Sequence, residues 1–252
     1  MTTITLDLSP LLQNFRSTGA QDHPSFLIHG ASNFIPNMVK FIERVHTPVI
    51  VNISESEKSD ILKDMIIKYG SDKHFHNYHY LYSSIIDPTK KMDILEIGLG
   101  TRDPKIPSTM YYYESEIQFI NTPGGSLRFF KEYCPLSNIY GADIDRKILF
   151  TEDRIETFFV DQLDITSLNS LFENRMFDII IDDGFHHISS NMNTLLIALD
   201  HINLDGYIII EDIIFSENWH VIDFVVSRIH GFETKLVNCG TSVYMYVIKR
   251  IC

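Results

Sequence analysis

The chain has 252 residues, one large domain at roughly 150 residues per domain, and at this size it can bury roughly three-quarters of its unfolded surface without a disulfide or structural metal. Its 33 acidic against 21 basic residues leave a formal charge of −12, which argues against nucleic acid or a membrane surface as partner, because both are bound through Lys and Arg neutralising phosphate. An apolar content of 44% with 21% charged residues fits a folded soluble protein rather than a disordered one.

Ile4, Leu6 and Leu8 alternate as in a short strand, and Pro36 opens a helix carrying Met38, Phe41, Ile42 and Val45. A short strand is expected at Pro48–Ile53. From Ser56, SESEKSDILKDMIIKYG reads as an amphipathic helix capped by Ser or Asp, with Ile61, Met65 and Tyr69 on one face and Gly70 as its stop. Strands are expected at Asp93–Ile97, Ile139–Asp143, Thr157–Val160, Asp178–Asp182 and Tyr207–Glu211, with helices between them. The clearest helix, Ser190–Ile202, sets Met192, Leu195, Leu196, Leu199 and Ile202 at helical spacing; another is expected at Trp219–Ile229. Two closing runs, Glu233–Val237 and Ser242–Ile248, flank a turn too short for a crossover, so that pair must be antiparallel. Repeated strand–helix units mean a parallel sheet covered on both faces. The fold class is therefore α/β: an open sandwich with one antiparallel strand. MTTITLDLSPLLQNF has neither the basic start nor the apolar stretch of a leader, and no run could span a bilayer. Cys134, Cys239 and Cys252 are widely spaced and odd in number, as in ordinary thiols of a reducing cytoplasm.

The first constellation is ILEIGLGT, residues 94–101, where a buried strand runs through Glu96 into Gly98 and Gly100. Such glycines turn the backbone at the carboxyl end of a strand, where open sheets bind ligands, or are simply a tight turn. A dinucleotide fingerprint would place a third glycine at Asp103, and Glu96 inside the turn would repel a pyrophosphate while welcoming a cationic ligand. Asp143 ends the next strand, with Asp145 just beyond it, and can accept both hydroxyls of a ribose; a solvated turn acid is the plainer reading. Asp161 and Gln162 at the third tip suit an adenine edge, and Asp164 suits a helix cap.

DIIIDDGFHH and GYIIIEDI are more specific. Two strands end in acid pairs, Asp182–Asp183 and Glu211–Asp212. If the strands are neighbours, carboxylates about 4–5 Å apart repel by about 3–4 kcal/mol per pair at an effective dielectric near 20. Such a cluster needs a cation or shared protons, and all-oxygen ligands point to Mg²⁺, or to Mn²⁺ or Ca²⁺, rather than zinc. The alternative is that the acids cap the helices that follow. His186, three residues after a candidate ligand, is a candidate general base, with His187 beside it. HFHNYHYLY, residues 74–82, has the HxHxxH spacing of metallo-hydrolases but not the Asp before the last His. It reads better as an aromatic lid or cleft wall.

These motifs together resemble a class I S-adenosylmethionine-dependent methyltransferase, more narrowly the metal-dependent macrolide-sugar O-methyltransferase group often labelled cephalosporin-hydroxylase-like. The resemblance covers roughly residues 65–250, through YGSDKHFHNYHYLY, EIGLGT, PGGSLRFFKEY, YGADID, VDQLD, IDDGFHH and IIIEDI. It implies a Rossmann-like open sandwich with a mostly parallel seven-stranded sheet and one antiparallel strand, neighbouring fourth and fifth strands, and a small N-terminal extension, residues 1–64, ahead of a methyltransferase domain at 65–252. It implies that Glu96, Gly98 and Gly100 line the methionine part of S-adenosyl-L-methionine, that Asp143 holds its ribose, and that Asp161 and Gln162 hold its adenine. Ser126 and Asp182 are added to the cofactor's wall. Asp183, Glu211 and Asp212 would bind Mg²⁺, and His186 would take the proton beside Asp183. The acceptor would be a sugar or nucleotide-sugar hydroxyl, S-adenosylhomocysteine the product, and the protein a cytoplasmic homo-oligomer, dimer or tetramer. Residues 101–122 are an insertion within the first motif, and Phe185 replaces the small polar residue usual before the histidine. Competing readings are an N-methyltransferase, which would not need the metal cluster, a phosphate or phosphoramidate O-methyltransferase, and a non-catalytic nucleotide-binding protein of the same fold.

Overall fold

The structure, a computed structural model, describes residues 36–108, 121–214 and 217–252. A helical stretch at 36–42 leads to strand β1 (Ile50–Asn52), helix α1 (Glu57–Lys68), a 3₁₀ turn at Asp72–His74 and helix α2 (His79–Ile85). Then come β2 (Asp93–Ile97), α3 (Gly125–Tyr133), β3 (Asn138–Asp143), β4 (Thr151–Glu152), β5 (Ile155–Phe159) and α4 (Ile165–Phe172). The second half holds β6 (Phe177–Asp182), α5 (Ile188–His201), β7 (Ile202–Ile213), α6 (Glu217–Val226), β8 (Phe232–Asn238) and β9 (Tyr244–Arg250). One sheet joins all the strands in the order β1-β8-β9-β7-β6-β2-β3-β5-β4.

Every strand expected from the sequence between residues 48 and 252 is present, and β6 and β7 are parallel neighbours. The sheet is larger than the seven strands expected. β1 adds a parallel edge beside β8, and the two-residue β4 adds an antiparallel edge beside β5, so β9 is not alone in running against the rest. The strand expected at residues 4–8 lies outside the described residues. α1 runs across position 64, and its Leu62 is fully buried, so the methyltransferase-like core takes in residues assigned to the extension.

The uninterrupted isoleucines of β6 and β7 follow from burial on both faces. Alternate residues feed opposite layers. Ile94, Ile179, Ile181 and Ile209 pack with α1–α3 residues such as Leu62, Ile66, Phe129 and Phe130. Leu95, Ile97, Ile180, Ile208 and Ile210 pack with α4–α6 residues such as Leu168, Leu195 and Trp219.

On α1 the buried face centres one residue beyond the expected stripe, of which Met65 and Tyr69 still pack against the core at its edge. Ser59, Leu62 and Ile66 are buried, while Ile61 is 54% exposed. ILKDMII offers two overlapping apolar stripes, and the start of the helix selects between them. Ser56 and Ser59 cap each other reciprocally, Ser56 N–H donating to Ser59 Oγ at 2.7 Å and Ser59 N–H to Ser56 Oγ at 3.2 Å, which sets Ser59 and the residues one and two turns on against the core.

Candidate active site

The chain leaves β2 toward β3 and β5 and then returns across β2 to place β6 on its other side. That reversal opens a crevice at the carboxyl ends of the strands. Here lies a cavity of about 720 Å³, reached by Gly98, Gly100, Ser126, Asp143, Asp161 and Gln162 from one half and by Asp183, His186 and Asp212 from the other. Lys105–Ser108 line it as well. The remaining insertion, with its Tyr111–Tyr113 run, lies outside the described residues.

In the first half the backbone does most of the shaping. Gly98 and Gly100 sit at φ +96° and +75°. A Cβ on Gly98 would stand 2.0 Å from the Asp183 carbonyl oxygen, so the close approach of β2 and β6 requires glycine there. Asp143 accepts the Leu99 N–H at 2.7 Å and the Asp145 N–H at 2.8 Å. It fixes the glycine turn while its carboxyl faces the cavity, and burial pushes that carboxyl up from its ordinary pKa. Asp161 takes the Leu163 N–H at 2.9 Å.

Three residues assigned to the cofactor's wall work differently. Gln162 reaches the cavity, but its amide group donates to Asp182 at 2.8 Å and to Thr194 at 3.2 Å, and its oxygen accepts the Phe185 N–H at 2.9 Å. Its polar atoms are committed to clamping the 183–187 turn rather than to an adenine edge. Asp182 is fully buried beneath that turn, taking hydrogens from Gln162, the Gly184 N–H and Asn191. Glu96 is also fully buried, behind Ser126, whose hydroxyl donates to it. Both acids lie under the wall, not on it.

The second half is built by side chains from far away in sequence. Lys73, 2% exposed, drives its ammonium between three strand tips, 2.5 Å from Glu211, 2.6 Å from Asp183 and 3.0 Å from Glu96. Burial alone would depress this lysine, but Asp183, Glu211 and Glu96 reverse that and hold it well above its ordinary pKa. Tyr82 donates to the other oxygen of Glu211. Burial and the repulsion of Asp183 push Glu211 well up, whereas Asp183, despite burial, is held below its usual value by Lys73 and His186. One ammonium cannot offset three carboxylates, and of the three Glu211 is pushed furthest toward its neutral form.

The group facing the cavity is therefore Asp183, His186 and Asp212, whose ligand atoms lie within 4.8 Å of one another. His186 Nε2 stands 3.8 Å from Asp183 Oδ1 and 3.5 Å from Asp212 Oδ2. Glu211, expected as a third metal ligand, lies outside this group because Lys73 and Tyr82 occupy its two oxygens. The reason is local. Consecutive strand residues alternate faces, and the β7–β9 register shifts between Ile210 and Ile213, with Asp212 at φ +54°. His186 is also left-handed, at φ +55°. Strained backbone at two facing residues is the kind of distortion that clusters at functional sites.

The HFHNYHYLY segment is neither a hydrolase site nor a lid. His79 is fully buried with neither ring nitrogen partnered among the described residues, and Tyr78 and Tyr82 form the floor under the acids. Lys73 was not singled out from the sequence. The one signal available was a lysine directly before an aromatic run that otherwise packs in the core. His187 is exposed and caps α5, its Nδ1 accepting the Ser189 N–H at 3.2 Å.

No protein-family model matches the chain. It is 32% identical over 157 residues to the 8-demethyl-8-α-L-rhamnosyl tetracenomycin-C 2′-O-methyltransferase of Streptomyces olivaceus, covering 60% of this chain and 37% of that one. It is 34% identical over 143 residues to the mycinamicin VI 2″-O-methyltransferase of Micromonospora griseorubida, covering 56% and 30%. The chain thus spans about a third of the length of these curated relatives. A solved MycE methyltransferase from the mycinamycin biosynthetic pathway, in complex with Mg, SAH and mycinamycin VI, matches in fold with a TM-score of 0.57 at 21% identity, over 75% of this chain and 53% of that one. The sequence resemblance to the sugar O-methyltransferase group of macrolide and tetracenomycin pathways therefore stands, and the fold is the Rossmann-like methyltransferase fold.

Proposed function

We propose that the chain is an S-adenosylmethionine-dependent O-methyltransferase that needs a divalent metal, with Mg²⁺ the natural choice, and acts on a sugar hydroxyl of a small glycoside or nucleotide-sugar. The observation that carries this reading is the opening of the Asp183–His186–Asp212 group into the same 720 Å³ cavity as the glycine turn and Asp143. A volume of this order suits a nucleoside-sized ligand together with part of a second molecule. Asp143 would receive the ribose, Asp161 the adenine side, and Gly98–Gly100 with Ser126 the methionine part.

Asp183 and Asp212 fit a hard cation, since each presents toward His186 an oxygen other than the one Lys73 or Tyr78 holds. Mg²⁺ prefers oxygen ligands, which leaves the imidazole of His186 for proton transfer. Bound there, the ion would acidify the acceptor hydroxyl and orient its neighbour. The chain's own work is the proton. A sugar hydroxyl has a pKa near 16, roughly 9 units above an imidazole, so full deprotonation before attack would cost about 12 kcal/mol. Attack of the hydroxyl oxygen on the sulfonium methyl forms the C–O bond and breaks the C–S bond, releasing S-adenosylhomocysteine. Transfer of the hydroxyl proton to His186 Nε2 in the same event avoids a free alkoxide.

The test is transfer of labelled methyl to a panel of glycosides and nucleotide-sugars. EDTA should abolish turnover and Mg²⁺ should restore it. Full activity in chelator would instead favour a second reading, for which Lys73 is the specific support. Its ammonium already offsets Asp183 and Glu211, so the same fold could run a metal-free transfer to an amine. Of the extension assigned to 1–64, the part ahead of α1 would, with the insertion at 101–122, bound the acceptor side or an oligomer contact.

A further inference from the structure

Asp183 and Asp212 are held in the same manner by one short segment, residues 71–82. Lys73 Nζ takes Asp183 Oδ2 at 2.6 Å. The Tyr78 hydroxyl donates to Asp212 Oδ1 at 2.5 Å and accepts the Asp212 N–H at 3.1 Å. Lys73 and Tyr78 each grip one oxygen of their acid. The oxygens left over, Asp183 Oδ1 and Asp212 Oδ2, are the two that face His186 Nε2 at 3.8 and 3.5 Å.

We infer that Lys73 and Tyr78 are positioning residues, which set the direction of the free oxygen of Asp183 and of Asp212 and so create the cation site that faces His186. The inference rests on the function proposed above. Three observations support it. Lys73 and Tyr78 are 2% and 1% exposed, so their polar atoms serve the acids rather than solvent. Asp212 is held in a left-handed conformation, and Tyr78 binds both its carboxylate and its backbone, fixing residue and rotamer together. Lys73 also reaches Glu96 at 3.0 Å, the acid that receives the Ser126 hydroxyl at the cofactor side. One ammonium therefore ties the cation half of the cavity to the cofactor half, and Tyr78 serves the cation half alone.

That asymmetry gives the test. The full chain is titrated with Mn²⁺ alone, read by electron paramagnetic resonance, and separately with S-adenosylhomocysteine by calorimetry. Tyr78→Phe removes one hydroxyl and should weaken Mn²⁺ about 10–100-fold, the usual cost of losing a group that orients a ligand. Its S-adenosylhomocysteine affinity should stay within about twofold. Lys73→Met should weaken both titrations, and if it fails to fold, Lys73→Arg, which keeps the charge but misplaces it, should show the same double loss. A folded Tyr78→Phe with wild-type Mn²⁺ affinity would overturn the inference. Tighter Mn²⁺ binding by Lys73→Met would overturn it for Lys73, making that residue a competitor of the cation. A wild-type chain with no Mn²⁺ affinity would bring down the metal reading itself, a result distinct from both.

Discussion

The two halves of the cavity are built by opposite means. At the tips of β2, β3 and β5 the side chains serve the backbone: Asp161 takes an N–H group from the turn it opens, Asp143 takes one from its own turn and one, that of Leu99, from the glycine turn of the neighbouring strand, and Gly98 and Gly100 turn the chain. At the tips of β6 and β7 the acids are held by side chains from the 71–82 segment, more than a hundred residues away. A site built from its own turns tolerates what happens elsewhere in the fold. A site assembled by remote side chains can be loosened from a distance, and its charge is balanced by groups the local sequence does not contain.

The sharpest way to break this contrast is His186→Ala. His186 lies on the 183–187 turn, which Gln162 clamps from the first half, while its ring faces acids held from the 71–82 segment. Loss of the base should lower methyl transfer by about 10²–10⁴-fold with Mn²⁺ affinity little changed. An equal loss of rate and Mn²⁺ affinity would make His186 a ligand instead, and the second half would lack a base.

Smaller, but specific to the remote segment, is its acid lability. His79 lies buried beside Tyr80 with no partner for either ring nitrogen among the described residues, and burial lowers its pKa from 6.5 to about 4. Above pH 6.5 both folded and unfolded chains hold it neutral, so it adds no pH dependence. Between 6.5 and about 4 the unfolded chain binds a proton that the folded chain refuses, so stability falls as pH falls. At about 1.4 kcal/mol per unit the loss approaches about 3 kcal/mol near pH 4. His79→Phe, compared with wild type by urea unfolding at pH 7.5 and pH 5, should remove most of that slope. Parallel pH dependence in the two proteins would refute the assignment.

On the first half, Asp143→Ala should weaken S-adenosylhomocysteine by about 10–100-fold, since it removes charge-assisted hydrogen bonds worth about 1.5–3 kcal/mol each where cofactor and glycine turn meet. Mn²⁺ affinity should not move. Preferential binding of NAD by the wild type would contradict the cofactor assignment outright.

The same contrast explains what could be read from the sequence. The strand–helix alternation, the antiparallel close of the sheet and the tip residues Gly98, Gly100, Asp143 and Asp183 were legible, because each depends on spacing within one element and on the rule that ligands sit at strand ends. The repulsion argument asked for a cation or shared protons among Asp182, Asp183, Glu211 and Asp212 and read the cation as a metal; in the structure the Lys73 ammonium stands against two of these acids, Asp183 and Glu211, and against Glu96, which that argument did not include. A lysine 138 residues from its partner in β7 leaves no local pattern. The inward turn of Glu211 and the use of Gln162 and Asp182 as clamps were illegible for a related reason. Residue type says that a side chain can bind a ligand, not that a neighbour has claimed it first. The buried face of α1 slipped by one residue because two apolar stripes overlap, and the choice between them was made by a pair of serines at the cap.

The smallest effect is expected one residue from the largest. His187 shares its sequence motif with His186, but its ring points along α5, where Nδ1 accepts the Ser189 N–H at 3.2 Å, and the side chain is exposed. An exposed N-cap contributes about 0.5–1 kcal/mol. His187→Ala should therefore lower thermal stability slightly and leave methyl transfer and both titrations near wild type, and His187→Asn should restore the stability because Asn caps as well. The comparison with His186 is sharp because the two imidazoles share solvent, chain and local sequence, and differ in what their backbone does. His186 at φ +55° leaves the strand geometry and meets the acids, while His187 at φ −93° starts a helix. If His187→Ala were inactive while His186→Ala turned over normally, the backbone twist at 186 would have another purpose. The proton would then leave through the residue that this geometry assigns to the cap.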